Sequence, residues 1–481
     1  LDVFAHYNRG DERYSGSWVY VGPDGSEYAL IGAKTGTAVY AIDDPAAVEE
    51  LGFIPGPASN WREITVVGAY AYVTTEATGP GQGMQIIDLT QLPSAVSLAA
   101  TYTATFTRGH IIQKDIFEES PYVYVVGTDS TGGVHILDVS NPDAPEEIGL
   151  YNPGYYIHDC HVRGNRLYAC AFYEKTVDIV DITDPTAPQL ITTIPDPGSS
   201  THSVSTTLTE DYLFIADEQD GQPGRIFNIE DIENIEPVSS YTANVESLVH
   251  NPYIKGDLVT ISHNTEGLRL LDIKDPSLPV EIAYYDTYDG PSGGFSGLWS
   301  ACPYLPSGKI IGGDRTEGLF VSEHTGPKAG RIYGQVVDSL TGMPLSAAQV
   351  ILSTPDDTLA LDNLAAFKFG RLPGNYTLSV TLPGYESKVI NIDLQSEVQE
   401  NLLVELAAPI SALSPEPGNE SQLIILENPV QAQLNIRLPA TIPPGGQLRI
   451  VAEQGQLIHG QKILEDHWNL DIGSWPVGLY L

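Results

Sequence analysis

YIHDCHVR (156–163), RLYACAFY (166–173), TVDIVDITD (176–184) and PQLITTIPD (188–196) follow one another with only RGNR, EK and DPTAP as connections. Each run is alternating or apolar and rich in β-branched and aromatic residues, which is the signature of a short strand. The connections hold Gly164, Asn165, Asp184 and Pro185, residues that supply the positive or preset φ of a tight turn. Four strands joined by such turns form an antiparallel meander about 40 residues long.

The meander repeats along the chain. Trp18, Trp61, His110, His158, His202, His250 and Trp299 recur at intervals of 43, 49, 48, 44, 48 and 49 residues. A period of 40 to 50 residues is that of a four-stranded propeller blade, which buries both of its faces only when neighbours stack on it. Seven such units predict a seven-bladed β-propeller over residues 1–325. The third strand and its turn recur as MQIIDLTQLP (84–93), VHILDVSNP (134–142), VDIVDITDP (177–185) and LRLLDIKDP (268–276). Asp88, Asp138, Asp181 and Asp272 read as turn residues whose carboxylates accept from backbone amides. The last repeat, FSGLWSACPYLP, KIIGGDRT and GLFVSEHT (295–325), offers three strands, so LDVFAHYN (1–8) is expected to supply its fourth and to remove an open edge.

These turns, with HDCHV (158–162), THSV (201–204), ADEQDG (216–221) and TEGLRLLDIKDP (265–276), resemble the LVIVD-repeat propellers of the choice-of-anchor B group. The resemblance covers residues 1–325 and implies a secreted, seven-bladed propeller; it implies no particular reaction.

Beyond residue 326 the period stops. Residues 330–406 contain GQVVDSLTGMPLSAAQV (334–350) and FKFGRLPGNYTLSVTLPGY (367–385), short strands with Gly and Pro punctuation that predict a small β-sandwich. The phrases resemble a carboxypeptidase regulatory-like domain, which implies a spacer or stabilising role. Tyr376 and Tyr385 read as packing residues. Residues 407–421, AAPISALSPEPGNES, read as a linker stiffened by proline. In residues 422–481, LENPVQAQLNIRLP (426–439), LRIVAEQGQLIHG (448–460) and WNLDIGSWPVGLYL (468–481) resemble the sorting domain of the Bacteroidota type IX secretion system. Asn428, Pro429, Gly455, Gly478 and Tyr480 stand at that family's positions, and Glu453 stands where an aspartate is common. The family pattern continues for one more hairpin past GLYL, so the segment reads as incomplete, with an edge open to strand addition if the chain natively ends there. Leu1 reads as the start of a processed chain. The architecture predicted is all-β, a seven-bladed propeller followed by two small β-sandwich domains.

Charge bounds the partners. With 23 Lys and Arg against 62 Asp and Glu, the net charge is −39, which repels nucleic acid and anionic membrane surfaces. No apolar run reaches the 18 residues of a membrane span. Three cysteines exclude a disulfide scaffold. Cys160 and Cys170, across a three-residue turn at 164–166, are candidates for one cross-strand bridge, with Cys302 free.

The sequence has no phosphate-cradling glycine loop or HExxH. Chemistry would therefore lie in the propeller channel, which the first strand of each blade lines. His110, His158, His202 and His250 come from consecutive repeats and are candidates for a transition-metal site, with Asp159 or His161 as further ligands. On a strand, residues 158 and 161 fall on opposite faces. A seven-bladed channel is also expected to be wide enough to hold the four imidazoles apart, in which case they bond backbone or water while Trp18, Trp61 and Trp299 cover the same tier. Asp217, Glu218 and Asp220 could hold surface calcium or form solvated turns. The reading that results is a secreted, cell-surface binding or structural protein exported by the type IX machinery, with a surface glycan or protein as partner. The alternatives are a metal-dependent enzyme using the channel histidines and a self-associating filament subunit.

Overall fold

The computed structural model describes residues 1–408 apart from 11, 12, 45, 46, 197 and 354, together with the backbone of strands at 424–425, 433–437, 447–451, 457–462 and 467–471. Among these residues every regular element longer than a turn is a β-strand, and no helix is long and apolar enough to cross a membrane. Two compact units divide at residue 407.

Residues 2–323 form seven antiparallel sheets of four strands each. Six of them are sequential meanders; the seventh takes its outer strand, Asp2–Tyr7, from the N-terminus, paired with Gly318–Glu323. His6 stacks on Phe320 with ring centroids 4.3 Å apart, and Thr325 donates to Asp2 at 2.9 Å. The first strands of the sheets are Tyr14–Val21, Arg62–Val67, Ile111–Gln113, Ile157–Arg163, Thr201–Thr206, Asn251–Lys255 and Leu298–Cys302. Each packs against the first strand of the next sheet, and Leu298–Cys302 packs back on Tyr14–Val21. This cyclic order is that of a β-propeller.

Burial explains the order. In the fourth sheet the first three strands are almost wholly buried, and the last, Gln189–Pro195, is the most exposed. Apolar side chains on the two faces enter different clusters: Ala169 packs toward the third sheet and Tyr168 and Cys170 toward the fifth. The turn aspartates act as expected, Asp88, Asp138 and Asp181 each accepting from the amide two residues on at 2.8 Å.

The proposed Cys160–Cys170 bridge is not formed; both thiols are free and buried. The turn is one residue shorter than expected, with Arg163 paired to Arg166 and Gly164 at φ 54°. Cys160 therefore lies opposite Ala169, and Cys170 opposite Asp159. A one-residue slip puts a side chain on the other face of a sheet, and the two sulfurs enter opposite inter-sheet cores.

Residues 330–406 fold as a three-stranded sheet (Ala366–Arg371, Gly330–Asp338, Gln399–Leu406) and a four-stranded one (Asp357–Leu359, Gln349–Leu352, Gly374–Thr381, Lys388–Leu394) that share one core. Tyr376 donates to the Leu372 carbonyl at 2.7 Å and Tyr385 to Asp338 at 2.9 Å. This module docks on the sixth propeller sheet. Asp272 differs from its three counterparts in being fully buried: its carboxylate takes the Ala329 amide at 3.0 Å and the Arg331 guanidinium at 2.9 Å. Tyr333 donates to Asp275 at 2.7 Å, and Gly370 lies so near that an added Cβ would stand 2.5 Å from Val280.

In the last unit, strands 424–425, 433–437 and 467–471 form one sheet and 447–451 pairs with 457–462. Residues 409–421 of the expected linker, and Asn428, Pro429, Glu453, Gly455, Gly478, Tyr480 and Leu481, lie outside the described residues.

Candidate metal centre

At the start of the first strands the imidazoles meet. His110 and His158 have ring centroids 4.5 Å apart, His158 and His202 4.4 Å, and His202 and His250 4.3 Å. The arc ends on Trp299, 4.3 Å from His250. The expected separation of the four rings is therefore corrected: adjacent first strands approach closely enough at this level for neighbouring rings to touch. A local bulge contributes, because the register shifts at His158, His202 and Trp299 and turns each side chain toward the channel.

The tier also differs in membership. Trp18 does not belong to it; the indole lies further along its strand, 6.0 Å from Tyr304. The irregularity in the first sheet falls between Tyr14 and Ser17, which puts Gly16 at the level of the arc. A Cβ on Gly16 would meet the Glu63 carboxylate at 2.2 Å, so glycine is needed there for close approach. Trp61 precedes its strand and is half-buried, and Glu63 takes the position, accepting from the Trp299 indole at 3.1 Å. The sequence did carry this signal. Gly16, Glu63, His110, His158, His202, His250 and Trp299 are spaced 47, 47, 48, 44, 48 and 49 residues apart, more evenly than the aromatic series.

A second set of side chains comes from the residue just past each second strand. Glu76 accepts from His110 Nδ1 at 2.7 Å, Phe172 stacks 4.9 Å from His158, and Arg315 lies 4.3 Å over the Trp299 ring. Glu218 occupies the same place in the fifth sheet. Its carboxylate stands 3.9 Å from His158 Nε2, 3.7 Å from His202 Nε2 and 3.8 Å from His250 Nε2. The DEQDG stretch is thus divided: Asp217 is buried and caps the Ser199 and Ser200 amides, Glu218 turns into the channel, and Asp220 accepts from the Gly294 amide.

The tautomers follow from the partners. His202 Nδ1 donates to the His250 carbonyl at 3.2 Å, and His250 Nδ1 to the Trp299 carbonyl at 3.0 Å. A carbonyl only accepts, so His202 Nδ1 holds the proton and its Nε2 lone pair faces Glu218. His250 Nε2 makes no hydrogen bond. Burial, and then the neighbouring imidazoles, hold the His158 pKa well below its ordinary value. Burial brings His202 and His250 to about 3. All three are neutral bases at physiological pH, the form that ligates metals.

Ligand atoms of His158, His202 and Glu218 all lie within 4.8 Å of one another. An ion about 2.1 Å from each tetrahedral ligand needs ligand atoms about 3.4 Å apart, a small contraction from the distances present. Two or three imidazoles with one carboxylate suit a divalent transition ion.

The remaining candidates stand apart from this cluster. Asp159 accepts from Gln113 at 3.1 Å and from the Cys160 amide at 2.7 Å. His161 Nε2 bonds Thr206 at 3.0 Å, with its ring 6.4 Å from Phe117. A cavity of about 730 Å3 on the second module, lined by Tyr333, Leu361, Phe367 and Leu402 among others, contains no comparable cluster.

Three segments, residues 119–153, 156–195 and 252–287, match the LVIVD repeat. The chain carries LVIVD repeats. Comparison with curated proteins yields no match. Among solved structures, U3-55K superposes with a TM-score of 0.50 at 10% identity, over 66% of this chain and 98% of that one. The periplasmic gluconolactonase of Pseudomonas aeruginosa gives 0.45 at 10% identity, over 57% and 86%. The likeness to U3-55K concerns the fold alone and agrees with a repeat β-propeller.

Proposed function

We propose that the seven sheets are the blades of one closed LVIVD-repeat propeller and that its function centres on a divalent transition-metal ion held in the channel. The ligands are His158 and His202 through Nε2 and Glu218 through its carboxylate, with His250 Nε2 3.8 Å from Glu218 beside them. The observation that carries this reading is the convergence of three ligand atoms within 4.8 Å at a point where the imidazoles are already in the neutral tautomer. Three protein ligands leave a coordination position for water or a small molecule, the arrangement that distinguishes a working site from a purely structural one. Around it stand Glu63, Glu76 and Arg315, groups able to bind or protonate a ligand.

The setting belongs to the same proposal. The protein acts outside the cytoplasm, delivered by the type IX machinery, with the 330–406 module, of the carboxypeptidase regulatory-like kind, as a rigid spacer. The LVIVD resemblance and the C-terminal motifs support this, as does the acidic surface.

Metal analysis by plasma mass spectrometry tests the centre. Untagged protein incubated with zinc, copper, manganese or iron and then dialysed is expected to retain one equivalent, which His158→Ala/His202→Ala loses. Glu218→Gln is expected to weaken retention at least tenfold, since it removes the one anionic ligand. Retention that is unchanged in both variants, or absent in the native chain, would overturn the reading.

A further inference from the structure

The first strands that carry Gly16, Glu63, His110 and Trp299 at one end run to a different site at the other. Trp18, Tyr20 and Val66, with Lys114, Ile116 and Tyr304 just beyond the strand ends, line a cavity of about 680 Å3. Lys114 is four residues past His110, roughly 13 Å along an extended chain, so this site is separate from the histidine arc. Its volume falls within the roughly 300–1,000 Å3 of small-molecule sites.

Lys114 is the notable member. Among the described residues it makes no hydrogen bond or ion pair. The chain has 62 carboxylates to 23 basic side chains, so a half-buried lysine without an acid partner is not explained by scarcity. The neighbouring acids are engaged or peripheral. Asp115 spends its carboxylate on the amides of Phe117, Glu118 and Gly164 at 2.8, 3.1 and 2.7 Å. Glu119 lines the cavity but is exposed at its rim. The other lysines at this end are occupied as well: Lys255 donates to the Pro303 and Leu305 carbonyls at 2.9 and 2.8 Å, and Lys309 pairs with Glu27 at 2.9 Å. Burial pushes the Lys114 pKa below its usual range, a cost that a bound anion would offset.

Beside this ammonium one wall is aromatic, while Glu119 and Ser120 make the other side polar. Tyr304 packs against Trp18 at 6.0 Å and Phe117 at 6.5 Å, and Tyr20 is held by Tyr28 at 5.8 Å. A rigid aromatic surface with one unpaired cation matches a ligand that has an apolar body and one negative charge. We propose that this cavity binds a small aromatic or arylaliphatic carboxylate, its carboxylate on Lys114 and its body against Trp18, Ile116 and Tyr304.

Calorimetric titration of the full chain with 3-phenylpropionate and with the uncharged 3-phenylpropionamide tests this. The acid is expected to bind saturably and the amide at least tenfold more weakly, because the charge-assisted hydrogen bond is lost. Lys114→Gln should weaken the acid by the same factor and leave the amide unchanged, with channel metal content as in the native protein. Ile116→Trp, which fills the cavity, should abolish both. No saturable binding of the acid, equal binding of acid and amide, or native affinity in Lys114→Gln would each overturn the proposal. Circular dichroism confirms that each variant is folded.

Discussion

Glu63 reaches the channel beside Gly16, with its carboxyl against the Trp299 indole, and burial raises its pKa from 4.5 to about 7 in spite of that hydrogen bond. A carboxyl with a raised folded pKa binds its proton more tightly in the native state than in the unfolded one. Stability is therefore lost as pH rises from about 4.5 to 7, by about 3 kcal/mol if the whole difference is expressed. Glu63→Gln keeps the shape and removes the charge. Urea denaturation should find the variant and the native protein equally stable near pH 4 and the variant more stable at pH 8. A difference that does not change with pH would show that Glu63 is not the group responsible. The four histidines were legible as residues because they recur at the repeat spacing. Their contact was not, because ring separation depends on bulges at 158 and 202, and the extra residue of a bulge carries no mark in the alternation of a strand. Glu218 was visible only as part of an acidic turn. Its place becomes readable when the residue past each second strand is compared across repeats, giving Glu76, Phe172, Glu218 and Arg315.

Among elements, the strand at Asp2–Tyr7 is the one whose pairing joins the most distant parts of the chain, lying against Gly318–Glu323. Without it the last sheet has three strands, and the apolar residues Phe4, Ala5 and Tyr7, which pack on the first core cluster, are lost. Deleting residues 1–9 should lower the melting temperature by more than 10 °C, since several kcal/mol of burial and a sheet edge are affected together. An unchanged calorimetric melt would mean that the strand is dispensable. The strands themselves were readable from alternation and turn residues, which are local. The hairpin at Gly164 was misjudged by one residue because RGNR accommodates either a two- or a three-residue turn, and that choice decides which face Cys160 and Cys170 occupy.

At the level of the whole molecule, the propeller sheets and the 330–406 module belong to one compact unit, and the Asp272–Arg331 pair is central to their junction. Both side chains are fully buried. Removing one partner leaves the other charge uncompensated, which typically costs about 3–5 kcal/mol. Arg331→Met is expected to separate a single calorimetric transition into two, the module melting first, while metal retention in the channel is unaffected. A single transition at the native temperature would show that the Tyr333–Asp275 bond and the Gly370–Val280 contact suffice. Nothing in the repeat distinguishes Asp272 from Asp88, Asp138 or Asp181. Its role arises only because Arg331 is brought onto its turn from a separate module.

That junction also determines how the molecule bears a load. The chain leaves the seventh sheet at Glu323 and is fastened to the sixth at Ala329 and Arg331, where the second module begins. Tension applied at residue 406 enters the module through the pairing of Gln399–Leu406 with Gly330–Asp338 and passes through this fastening into the body of the sixth sheet. The strand pairing of Asp2–Tyr7 with Gly318–Glu323, which a direct pull at 323 would peel apart one rung at a time, is relieved of the force.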